Sequence, residues 1–173
     1  MRRALLLALL ALVLAIPASA QKPPARPQEG RLRVEIVEAG LFRTIRTGEV
    51  GQTPGGVRHF TVKEELERAT TTVPGRIGVQ FGVRFRVSGR PAGATVPVTA
   101  RLIYPAPGLR APGTAEHATQ SDIEMVVRVG DPTPTYRGFG FDDEWEIVRG
   151  TWRFEFRIGD DVLAVQEFMV DAR

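Results

Sequence analysis

What most limits the folds open to this chain is an alternation of apolar and polar residues that recurs along its length. Trp152, Phe154, Phe156 and Ile158 interleave with Arg153, Glu155 and Arg157, and Val79, Phe81, Val83, Phe85 and Val87 interleave with Gln80, Gly82, Arg84 and Arg86. A period of two puts each apolar set on one face of an extended strand and each polar set on the other. Leu32, Val34 and Ile36 follow the same rule, as do Val96, Val98, Ala100, Leu102 and Tyr104, and then Ile123, Met125, Val127 and Val129. Gly159-Asp160-Asp161 turns the run that begins at Trp152 back into residues 162–170, which predicts a β-hairpin.

Between these runs the pattern is less regular. Gly40 sets off a short run at 41–45, residues 47–58 read as a Gly/Pro loop, and residues 105–119 form a Pro/Gly-rich loop without a period. Residues 61–68 are read as a strand leading into 70–72, although Thr61 and Glu64 also match a helix capping box. Pro97 predicts that its strand begins near a sheet edge, because proline cannot donate to the ladder. Seven to eight strands with no convincing helix predict an all-β, antiparallel β-sandwich, with a small closed barrel as the alternative. Phe85 and Phe154 are expected to face inward, each costing about 3–5 kcal/mol on truncation to alanine. Arg84 is expected on a wet face, with little effect when truncated.

The first 20 residues are read as an address rather than as fold. Arg2 and Arg3 precede an apolar run from Ala4 to Ile16, and Ala18 and Ala20 supply the small residues of a signal-peptidase site. The run is shorter than the roughly 20 residues a membrane span needs. The reading is a cleaved signal peptide at 1–20, a flexible Pro-rich lead at 21–31 and a single domain at 32–173, periplasmic or secreted, with no membrane insertion after cleavage. Without Arg2 and Arg3 the chain has 21 basic and 20 acidic side chains, so the pI of about 9.9 reflects arginine chemistry rather than a basic surface. That balance argues against a nucleic-acid partner. With no cysteine, the fold must hold by packing, and a thiol nucleophile, a thiolate metal site and a lipidated cysteine are excluded.

Catalytic constellations fail on inventory. Beyond the signal the only serines are Ser88 and Ser121, neither in a nucleophile elbow, and the only histidines are His59 and His117, both in expected loops and read as solvated. The densest chemical signal is acidic: Asp142, Asp143, Glu144 and Glu146. Asp142, Asp143 and Glu144 are a weak calcium candidate, lacking the spacing of a calcium-binding loop, and the cluster could alternatively supply paired carboxylates for glycoside hydrolysis. Alternation about Trp145 puts Glu144 and Glu146 on a wet face, so a solvated acidic turn is the preferred reading. Tyr136 and Trp145, extended by Phe139 and Phe141, are a candidate sugar-stacking platform, with Trp145 read first as core. Tyr136, Asp142, Asp143 and Glu144 are the candidate binding surface. Arg84, Arg86 and Arg101 are expected to pair with acidic residues on neighbouring strands.

The segments Gly138-Phe139-Gly140-Phe141-Asp142, Trp145-Glu146-Ile147-Val148 and Gly150-Thr151-Trp152, with Val73-Pro74, Gly78 and Phe81-Gly82, resemble a family of small exported bacterial proteins catalogued only as a domain of unknown function. The resemblance covers about residues 32–171. It implies an immunoglobulin-like sandwich and a bacterial source, and carries over no functional residues and no cofactor. The expected function is a non-catalytic binding or accessory module of the cell envelope, engaging a protein or a glycan through loops or a strand edge. An envelope glycan-active enzyme using residues 142–146 is the alternative.

Overall fold

The structure, a computed structural model, describes residues 30–52 and 58–171, apart from the side chains of 46–47, 49–52 and 58–61. The expected signal peptide and most of the Pro-rich lead lie outside the described residues. Nine strands are present among those residues: β1 (Arg33–Gln52), β2 (Arg58–Ala69), β3 (Thr72–Pro74), β4 (Gln80–Ser88), β5 (Thr95–Ile103), β6 (Gln120–Arg128), β7 (Thr135–Gly140), β8 (Gly150–Ile158) and β9 (Asp161–Asp171). They form a four-stranded sheet in the order β2-β1-β4-β7 and a five-stranded sheet in the order β3-β9-β8-β5-β6. All pairs are antiparallel except the short β3–β9 pair.

The expected faces meet across one core. Phe81, Val83, Phe85 and Val87 of β4 are buried opposite Trp152, Phe154 and Phe156 of β8, with Val98, Ala100 and Leu102 of β5 and Phe168 and Val170 of β9 completing the layer. Phe81 is central. The rings of Phe139, Phe141, Trp152, Phe154 and Phe168 have their centroids 6.3, 5.5, 5.6, 6.0 and 5.3 Å from its own. The β8–β9 hairpin closes through Gly159, whose φ of +59° suits the first central position of a two-residue II′ turn.

Several local expectations are corrected. Residues 33–52 form one strand that runs through Gly40 and Gly48, so most of the expected loop at 47–58 is ladder, and His59 lies in β2 rather than in a loop. Register shifts at Leu41/Phe42, Arg46/Gly48 and Glu49/Gly51 explain this, since a glycine inside a strand often marks a bulge rather than an end. The segment at 61–68 is strand, as expected, and the chain changes sheet between β2 and β3. Pro97 lies on β5, an interior strand. β8 pairs with β5 only from Thr99 to Ile103, so Pro97 sits where β5 has a single neighbour.

The four-stranded sheet also carries a small apolar cluster on its outer face. The irregularity between Ile36 and Glu38 shifts the alternation of β1, so that Leu41 faces the core beside Phe81 while Phe42 turns outward, in register with Gln80 and Leu66, and is nonetheless buried. Tyr136 lies against it with ring centroids 4.9 Å apart, and the Arg84 guanidinium stacks 5.4 Å from the ring centroid. Arg84 also bonds Glu38 at 2.6 Å and donates to the Glu64 carbonyl. Beneath the aromatic pair runs a cross-strand row of glycines, Gly40, Gly82 and Gly138, in register on β1, β4 and β7. A Cβ on Gly138 would collide with the Tyr136 hydroxyl, and one on Gly82 would stand 2.5 Å from the Arg137 carbonyl oxygen and from Gly138 Cα. The glycines let the aromatic rings lie flat on the sheet.

Candidate functional site

Two connections meet at one end of the sandwich. The first joins β5 to β6 and continues that hairpin as an arm: the Tyr104 N–H donates to the Thr119 carbonyl at 2.9 Å, and Leu109 and Ala118 exchange backbone bonds of 2.9 and 2.8 Å. The Pro/Gly-rich loop expected at 105–119 therefore has a paired base. The second connection follows β7 and forms a 3-10 turn at Glu144–Glu146 instead of a strand. The Glu146 carboxylate folds back to accept the Asp142 and Asp143 N–H groups at 2.6 and 3.0 Å, which satisfies donors a helical start leaves free. Alternation about Trp145 thus fails locally, because a turn has no two-residue period.

Between arm and turn lies a hollow of about 740 Å³. Tyr104, Leu109, Phe139 and Trp145 give it an apolar floor, and Glu116, His117 and Glu146 stand among its polar lining. The floor is tied to the core. Trp152 lies 5.1 Å from Tyr104 and 5.0 Å from Phe139 between ring centroids, and its Nε1 donates to the Val148 carbonyl at 2.8 Å, securing the end of the turn. The Tyr104 hydroxyl donates to Ser121 Oγ at 2.7 Å, and His117 Nδ1 lies 3.4 Å from the Gly108 carbonyl. Another hollow, of about 530 Å³, lies at Arg68, Arg76 and Asp171 and has no aromatic side chain.

Of the expected platform, Trp145 and Phe139 come together in the hollow. Phe141 is fully buried, and Tyr136 sits on the opposite face of β7, in the outer-face cluster, where burial raises its phenol pKa and the Glu64 charge adds to the rise. Trp145 is half-buried, packed on the core while lining the hollow. Asp142, Asp143 and Glu144 are exposed, and among the described residues no group of three or more His, Cys, Asp or Glu is placed to hold a metal. Arg84 and Arg101 pair as expected. Arg101 grips Asp122 with bonds of 2.8 and 2.7 Å, and that hydrogen bonding holds the Asp122 carboxyl below its ordinary pKa. Sequence reasoning missed Tyr104, Leu109 and Glu116 as neighbours of Trp145. Only Tyr104, the last member of an alternating run, carried any signal.

Replacing Asp142, Asp143 and Glu144 together by alanine is expected to lower the melting temperature by a few degrees at most, through loss of the Asp143 cap, and to leave it independent of millimolar calcium, since an ion stabilises only by binding the folded state. Glu146→Ala is expected to cost about 1 kcal/mol, the worth of a lost cap. Thermal melts of both variants check this; a calcium-dependent rise that the triple substitution removes would establish a metal site.

A two-sheet β-sandwich with a hollow at one loop end is the class that fold and site define. The chain belongs to the family described as domain of unknown function DUF3859, which it matches over residues 31–170. It is similar to the crystal structure of an immunoglobulin-like protein from Pseudomonas aeruginosa, with 24% identity and a TM-score of 0.55, over 84% of this chain and 100% of that one. That likeness shows the fold. No curated protein matches the chain.

Proposed function

We propose that this protein is a non-catalytic binding module of the bacterial cell envelope, and that the loop-end hollow takes an envelope glycan. The observation that carries the reading is the hollow itself: aromatic faces on a floor fixed to the core, with carboxylate, hydroxyl and imidazole groups at the rim. Sugar rings offer an apolar face for stacking and hydroxyls for hydrogen bonding, and binding sites commonly combine a mainly apolar cleft with a few polar groups. The envelope address is supported by the signal-like run at 1–20. Glu146 is engaged by two backbone donors, which favours a fixed acceptor over a proton donor.

The chain has two tryptophans, one fully buried in the core and one at the hollow, so tryptophan fluorescence reports on the site. Titration with envelope-glycan fragments is expected to change the emission, and Trp145→Ala, which also loses packing on the core and is expected to melt a few degrees lower while staying folded at 25 °C, is expected to weaken binding at least about tenfold. Absence of binding to any fragment overturns the glycan reading and leaves an envelope protein as the occupant to test. Cleavage of the fragments, lost in Glu116→Gln, would replace the binding module by an enzyme.

A further inference from the structure

An unpaired strand edge presents N–H and C=O groups ready to accept another strand, and sandwiches guard such edges by shortness, inward charge or proline. The edges here are β2 and β7 of one sheet and β3 and β6 of the other. β3 has three residues, β7 turns the half-buried Arg137 inward in register with Val83, and β2 carries Lys63, Glu64, Glu65, Glu67 and Arg68. β6 carries Asp122, Glu124 and Arg128 on its outer face, fewer charges than β2, and it is neither short nor guarded by proline or an inward charge. Its nine residues include no proline, and its inner face is Ser121, Ile123, Met125 and Val127. Ile123 is 45% exposed although Ala100, its partner on β5, is 1% exposed, so the edge of this sheet reaches past the cover of the opposite one. On the outer face Val126 is 78% exposed, and Glu124 and Arg128 lie across from Thr99 and Thr95, with no ion-pair partner among the described residues.

We propose that two copies of this chain pair through β6, antiparallel and centred on Val126, continuing the five-stranded sheet across a two-fold axis. This register is selected by charge. Val126 meets its own copy, Met125 meets Val127 on the inner face, and Glu124 meets Arg128 twice by symmetry. Centring on Glu124 opposes two identical carboxylates, centring on Ile123 opposes Asp122 to Glu124, and centring on Met125 leaves Glu124 against Val126. Asp122, already held by Arg101, is not needed. A closed, self-complementary contact of this kind ends at the dimer, since pairing consumes the edge.

Sedimentation velocity across a wide concentration range tests the pairing. The wild-type protein is expected to dimerise reversibly. Val126→Glu sets two carboxylates against each other at the axis, and Arg128→Glu opposes Glu124; each is expected to raise the dissociation constant about tenfold. Exchanging both charges, Glu124→Arg with Arg128→Glu, is expected to restore wild-type affinity. All of these positions are exposed, so thermal melts are expected to match wild type. A monomer at every concentration, a dimer indifferent to Val126→Glu, or a charge exchange that fails to rescue would overturn the proposal.

Discussion

Replacing Phe81 by alanine is expected to cost about 3–5 kcal/mol, a large share of the 5–15 kcal/mol that holds a domain of this size together. Phe81 is fully buried and touches aromatic rings from β7, β8 and β9 and from Phe141, so truncation leaves a cavity that no single neighbour can fill. With no cysteine in the chain, no cross-link limits the loss. Urea denaturation is the measurement, with Arg86→Ala, exposed on the same strand, expected within about 0.5 kcal/mol of wild type. Arg84→Ala is not an equivalent control. Its guanidinium pairs with Glu38 and covers Phe42, and its loss is expected to cost about 1–2 kcal/mol, which revises the expectation that a wet-face arginine is dispensable. Equal losses for Phe81 and Arg86 would mean that the faces of β4 are wrongly assigned.

Gly82→Ala is expected to cost about 3 kcal/mol although it adds a single methyl. The new Cβ would stand 2.5 Å from two backbone atoms of β7, so the strand itself must move, and with it Phe139 at the floor of the hollow. Gly140→Ala is the control on the neighbouring row. Its nearest contact would be Gln80 Cγ at 4.0 Å, and the variant is expected to be neutral or stabilised by up to about 1 kcal/mol through the unfolded state. Chemical denaturation compares the two, and hydrogen exchange on residues 135–140 is expected to show lost protection in Gly82→Ala alone. Equal stabilities would show that the glycine row is not a close-packing device.

Much of the fold was legible because a strand with one wet face writes its burial into the sequence at a fixed period. The alternation at β4, β5 and β8 identified the buried face of each strand, and Gly159-Asp160 located the hairpin turn. Glycine punctuation misled in β1, where it marks bulges and a close approach from Leu66 and the Arg68 carbonyl rather than strand ends. The segment around Trp145 misled for another reason: its alternation is short, and the N–H groups of Asp142 and Asp143 recruit Glu146 into a turn.

The sequence by itself determined the class of the fold, the inward faces of its strands, the absence of thiol chemistry and the kinship to a family, since each depends on local periodicity or on composition. The tertiary structure decided which connections meet. Nothing local places the 105–119 arm beside the turn at 144–146, sets Tyr136 against Phe42 of β1, or leaves β6 rather than β5 at the margin of its sheet. Strand order is set by how whole apolar faces cover one another across the core, a long-range balance of buried area that no window of the sequence contains.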